Sequence, residues 1–139
     1  MATNSIIAVK TSNDGDYKSI YVHNDGYFDY MYPMLDTWYN SQERAEALVS
    51  FGDASFIAKR LCPSKDSNHH FDHPEEDVSI FYHRDRGEPW RDNAPCLMSK
   101  EEVLATQYYA YIFENGCWTA YAGRKEVPDY DYLEHENFR

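Results

Sequence analysis

Two short clusters in this chain combine residue types that do chemistry. The first is His23-Asn24-Asp25-Gly26-Tyr27, where a strand gives way to a helix. A histidine and a carboxylate at a strand end can form an acid/base pair. The same Asp-Gly step also builds a turn by conformational preference alone. The second cluster is Arg84-Asp85-Arg86-Gly87-Glu88, directly after a strand. Arginines at i and i+2 project to one side of an extended chain, and paired guanidinium forks match a phosphate or a carboxylate. The competing reading pairs these charges with each other or with nearby acids, and the sequence weighs the two equally. His23, Asp25, Tyr27, Arg84, Asp85, Arg86 and Glu88 are therefore the candidate ligand-binding residues. Used together, the arginines would hold a phosphate while His23 and Asp25 moved a proton. That requires the two loops to meet in space.

Other groups carry less. His69, His70 and His73 surround Asp72, a set of zinc- or nickel-binding types. Structural zinc sites draw ligands from two elements, and no Cys-x-x-Cys partner exists, so a surface loop is the expected reading and no metal is assigned. Tyr108, Tyr109 and Tyr111 could stack bases on a strand, but without basic neighbours they read as packing residues. No phosphate-loop, dinucleotide, zinc-protease or nucleophile-elbow pattern is present, and Cys62, Cys96 and Cys117 lie in no nucleophile context. No catalytic residue and no cofactor is assigned, and binding is favoured over catalysis.

The elements that must position these residues are legible in outline. Residues 5–11 and 17–23 read as a hairpin across a turn-forming stretch at 12–16. Ile20 and Val22 would face the core, with Tyr17, Tyr21 and His23 on the other side. A helix begins between Asp29 and Tyr32, with Pro33 in its first turn and Met31, Met34, Leu35 and Trp38 on one face. Asn40 with Glu43 suggests the cap of a second helix, running to about Phe51 and ended by Gly52. Residues 62–77 read as an exposed loop, 78–83 as a strand and 84–98 as a second loop. Ser99 and Glu102 open a short helix to about Gln107. Asn115-Gly116 joins two aromatic-rich runs, the strongest hairpin signal in the chain. The expectation is an α+β domain over residues 1–123, followed by a charged tail at 124–139. Its sheet is mainly antiparallel, with about five strands (two hairpins plus one strand) and two or three helices on one face.

Bulk properties bound the function. At 139 residues, with 42% hydrophobic residues, the chain suits one domain with its own core. Its 13 tyrosines suggest many half-buried rings at a surface or interface. The net charge of −11, from 24 acidic and 13 basic residues, repels phosphate backbones, so direct nucleic-acid binding is not expected. That charge would suit a basic partner, and at minimum it favours solubility. Three widely spaced cysteines fit a reducing compartment. The first residues show no secretory pattern, and no run approaches the ~18 apolar residues of a membrane span.

The order of motifs resembles a family of small tailed-bacteriophage proteins that carries no assigned activity. Its pattern is a hairpin ending in Tyr-x-His-Trp-Asp-Gly-Tyr-Pro, a helix pair closing on Gly-Asp, Phe-Asp-x-Pro, a strand, Arg-Asp-Arg-Gly-Glu and an aromatic hairpin. The matching positions here are Tyr21 to Phe28, Gly52-Asp53, Phe71 to Pro74, Arg84 to Glu88 and Tyr111 to Tyr121, so the likeness spans nearly the whole chain. Asn24 stands where the family tends to have Trp, and Phe28 where it tends to have Pro. The resemblance implies a phage origin and the cytoplasm of an infected host. The favoured reading is an accessory protein that inhibits a host factor or antiviral defence, by docking on a host protein or by sequestering an anionic small molecule. A small nucleotide-binding enzyme using the two loops is the alternative, and an acidic DNA mimic ranks last. Self-association is left open.

Overall fold

The computed structural model describes residues 2–11 and 15–128. The middle of the first turn, 12–14, and residues 129–139 of the expected tail lie outside them. The four runs read as two hairpins become strands where the sequence places them. β1 (Ser5–Lys10) and β2 (Tyr17–Val22) pair antiparallel, as do β6 (Tyr109–Glu114) and β7 (Cys117–Ala122). Asn115 and Gly116, at φ 55° and 80°, supply the two left-handed positions the second hairpin needs.

β3 (Ala54–Phe56), β4 (Ile80–Phe81), β5 (Cys96–Met98) and β8 (Lys125–Val127) complete one sheet in the order β4-β3-β2-β1-β6-β7-β8, with β5 on the start of β2. Most pairs are antiparallel, whereas β1/β6 and β2/β3 run parallel. The α+β class and the mainly antiparallel sheet are thus as expected, but among the described residues there are eight strands rather than about five. The three strands not foreseen, β3, β5 and β8, have three residues each, too few to show an alternation. β8 takes in part of the segment read as tail.

Among the described residues there are five helices: α1 (Phe28–Trp38), α2 (Gln42–Ser50), α3 (Tyr82–Arg86), α4 (Trp90–Asn93) and α5 (Lys100–Thr106). They do not share one face. α1 and α2 bury Met31, Leu35, Ala45 and Leu48 against Ile7, Val9, Ile20 and Val22. α5 buries Val103 on the opposite face, against Ile6, Ala8, Tyr17 and Ile112. Both faces of β1 are therefore covered, which is why it reads as a continuous apolar run.

Local details differ from expectation in instructive ways. Pro33 sits in the second turn of α1, and Trp38 is 39% exposed instead of sharing the buried face. Full burial of Met31 and Leu35 outweighs a local proline cost of about 3 kcal/mol. Ser41, not Asn40, caps α2 by accepting the Arg44 N–H at 3.1 Å. Gly52 follows α2 at φ 83°, as expected. The capping box of Ser99 and Glu102 forms in full. The tyrosines are more buried than their number suggested: Tyr17, Tyr32, Tyr39, Tyr111 and Tyr121 belong to the core. Buried hydroxyls find partners, as Tyr111 donates to the Gly26 carbonyl (2.7 Å) and Tyr17 to Glu114 (2.7 Å).

Candidate functional site

β3 lies between the two clusters that sequence reasoning singled out. Ala54 pairs with Val22 in parallel on one side and with Phe81 antiparallel on the other. Beyond that level the two chains diverge. After Val22, the His23 N–H donates to Ala54 O (3.0 Å) and the Asn24 N–H to Ser55 O (2.9 Å). After Phe81, the Tyr82 N–H donates back to Asp53 O (3.2 Å). The loops are neighbours on the sheet yet leave toward opposite ends of β3.

Each loop is tied to its own surroundings. Asn24 Nδ2 donates to Ser55, and the Gly26 N–H to Thr3 O at 2.8 Å. A Cβ on Gly26 would meet the Ser5 side chain, so this turn packs directly on the N-terminal strand. Asp25 holds the left-handed position at φ 56°. Tyr27 precedes α1 and is 40% exposed. The exposed His23 ring bonds through Nδ1 to the Tyr21 hydroxyl (2.8 Å). Below it, Asp53 Oδ1 accepts the Tyr21 N–H (2.9 Å), and burial raises the Asp53 carboxyl above the usual range.

Arg84, Asp85 and Arg86 belong to the short helix α3 rather than to an extended chain, and Gly87, at φ 77°, caps it ahead of Glu88. Positions i and i+2 do not face each other on a helix, so the two guanidiniums part company. Arg84 turns inward, where Nε and Nη2 grip Asp85 at 2.8 and 3.0 Å. Nη1 reaches Leu61 O at 2.6 Å, and Nη2 reaches Ser79 O at 2.9 Å. Its guanidinium carbon lies 5.1 Å from the ring centres of both Phe51 and Phe81. Arg86 turns outward over Phe71 (4.7 Å) and sits 3.4 Å from Glu88. Asp85 also accepts the Phe81 N–H at 2.8 Å. Burial pushes its carboxyl upward, but the Arg84 fork and that N–H outweigh it, and the net shift is downward.

The histidine cluster divides. His70 and His73 are exposed and meet edge to face. The His69 side chain is only 1% exposed, contrary to the surface-loop reading. Its Nδ1 accepts the Glu75 N–H at 2.8 Å, which assigns the ring proton to Nε2. Nε2 lies 3.3 Å from Asp85 Oδ2 without hydrogen-bond alignment. Among the described residues no group of three or more His, Cys, Asp or Glu is placed to hold a metal ion.

A different place in the fold is open. A groove of about 300 Å³ lies between the end of α1, α2 and residues 59–62. Trp38, Tyr39, Ala47 and Leu61 give it an apolar wall, and Arg44, Lys59 and Arg60 bring positive charge, beside Cys62. Arg60 is held by Glu75, by the Glu76 carbonyl (3.0 Å) and by Ser64 (3.3 Å). The Glu75 carboxyl, anchored by Ser67, Ser64 and Arg60, is lowered to about 2 and stays ionised. Lys59 Nζ lies 3.5 Å from Asp77 and 5.6 Å from the Trp38 ring centre. Arg44 donates to the Trp38 carbonyl (3.0 Å) and takes part in no ion pair among the described residues. Sequence reasoning missed this groove because Trp38 read as a core residue and its cations are scattered through an acidic chain.

Fold and sites define a small α+β protein whose sheet is covered on both faces, whose arginine–aspartate motif braces the frame, and whose cationic, aromatic groove is open. Comparison with protein-family models, curated proteins and solved structures finds no match. Among the described residues no helix is long and apolar enough to cross a membrane.

Proposed function

We propose that this is a phage-encoded accessory protein that acts by binding, holding a small anionic molecule in the groove beside Trp38 and so keeping it from a host factor. The observation that carries the reading is Arg44. It is a cation at an apolar wall, in a chain of net charge −11, and no carboxylate among the described residues neutralises it. Its free N–H donors beside an apolar wall offer an anion from outside charge-assisted hydrogen bonds. A small ligand also suits the overall charge, since the negative field weakens with distance and groove contacts are short-ranged. The phage origin rests on the motif order from Tyr21 to Tyr121, and the host cytoplasm follows from it. Catalysis by the two sequence clusters is disfavoured, because four of the five Arg84 N–H groups are committed to Asp85, Leu61 and Ser79.

The test is retention. The protein and its Arg44→Glu variant are mixed with the small-molecule fraction of a bacterial lysate, repurified, heated and clarified, and the supernatants are compared by mass spectrometry. The wild type should release an anionic compound that the variant does not. Identical supernatants would remove the groove from consideration.

A further inference from the structure

Resting on that reading, we infer that the groove takes a ligand of mononucleotide class, with an aromatic ring against Trp38 and one phosphate between Arg44 and Lys59. Size sets the first limit. About 300 Å³ lies at the lower end of small-molecule sites, which suits one ring system with one charged group rather than a dinucleotide. Charge sets the second. No carboxylate lines the groove, so a cationic guest such as an aromatic-caged ammonium is unsuited to it.

Geometry then joins ring and charge. The Arg44 guanidinium is bonded to the backbone carbonyl of Trp38, so the cation is held at the same residue whose ring would stack. That bond uses one of its five N–H groups, leaving donors for a phosphate oxygen. Lys59 rests over the Trp38 ring at 5.6 Å on a flexible stem, in the space a ligand ring would occupy. Swinging aside, it exchanges its exposed pairing with Asp77 at 3.5 Å for the same phosphate. Arg60 is locked by Glu75 and Ser64 and adds no ready partner. One cation without an ion pair among the described residues, Arg44, and a second, Lys59, shared with Asp77, in a chain of net charge −11, favour one phosphate over a triphosphate or a nucleic-acid strand.

Isothermal titration with the four ribonucleoside 5′-monophosphates, the matching nucleosides, adenosine triphosphate and inorganic phosphate separates these contributions. At least one monophosphate should bind. Its nucleoside and inorganic phosphate should each bind about tenfold more weakly or worse. Trp38→Ala and Arg44→Glu should each weaken the monophosphate by about tenfold or more, with Trp38→Phe restoring part of the loss. Both sites are exposed, and a glutamate at position 44 falls where a capping box places one, so the thermal midpoint should hold. Phosphate binding equal to every monophosphate and unaffected by Trp38→Ala would overturn the ring contact and leave the anion site standing. No heat with any of these probes would overturn both.

Discussion

The Arg84 guanidinium joins α3 to the segment after β3 and to the chain entering β4, through Asp85 and the carbonyls of Leu61 and Ser79. Its partner Asp85 is 3% exposed, so removing the cation leaves a buried carboxylate without the guanidinium that balances its charge. Arg84→Ala should cost about 3–5 kcal/mol in urea unfolding, the range for breaking a buried pair. Arg84→Lys, which keeps the charge but not the fork, should lose part of that. The pH dependence follows from the Asp85 shift. Its folded pKa lies below the unfolded value of about 3.9, so its stabilisation is complete above that pH and fades as pH falls through the folded value. The stability gap between wild type and Arg84→Ala should therefore narrow below pH ~4. A constant gap down to pH ~2 would show that Asp85 is not the group concerned.

Among the elements, two glycines with similar backbone angles should respond differently. Gly116 has φ 80° and open space where a Cβ would stand. Gly52 has φ 83°, and its Cβ would collide with the Asn93 carbonyl oxygen, a backbone atom that cannot swing away. Gly116→Ala should cost about 1–2 kcal/mol, from the left-handed angle alone. Gly52→Ala should cost about 2–4 kcal/mol, because α2 and α4 must also move apart. Comparing the two denaturation midpoints checks the order. At α5, Ser99→Ala removes the hydroxyl that accepts the Glu102 N–H (3.2 Å), for a loss of about 1 kcal/mol. Amide exchange confined to residues 100–106 would report that loss as local fraying.

For the molecule as a whole, the decisive feature is a sheet buried on both sides. Ile7 faces α1 and α2, Ile112 faces α5, and both are fully buried. Ile7→Ala and Ile112→Ala should each destabilise by about 2–5 kcal/mol. A core with one true face would instead tolerate the Ile112 change, at well under 1 kcal/mol, in the same unfolding experiment.

What the amino-acid order settles alone is local. Asn115-Gly116, the Ser99–Glu102 box, Gly52, the apolar run of β1, the alternation of β2 and the aromatic-rich runs of β6 and β7 each encode their conformation within a few residues, by turn chemistry, capping and side-chain pattern. The candidate site was legible only as residue types. His23 and Arg84 have the right chemistry, but β3 sends their loops to opposite ends, and helix formation at Tyr82 turns Arg84 inward. Tertiary structure decided the rest. Three-residue strands acquire meaning only from their partners, α5 takes the second face because apolar side chains of β1 and β6 wait there, and the buried His69 ring meets an aspartate 16 residues away. The groove is the extreme case, since Trp38, Arg44 and Lys59 converge only once two helices have packed on the sheet. Such convergence depends on burial between segments distant in the chain, and no short-range pattern encodes that.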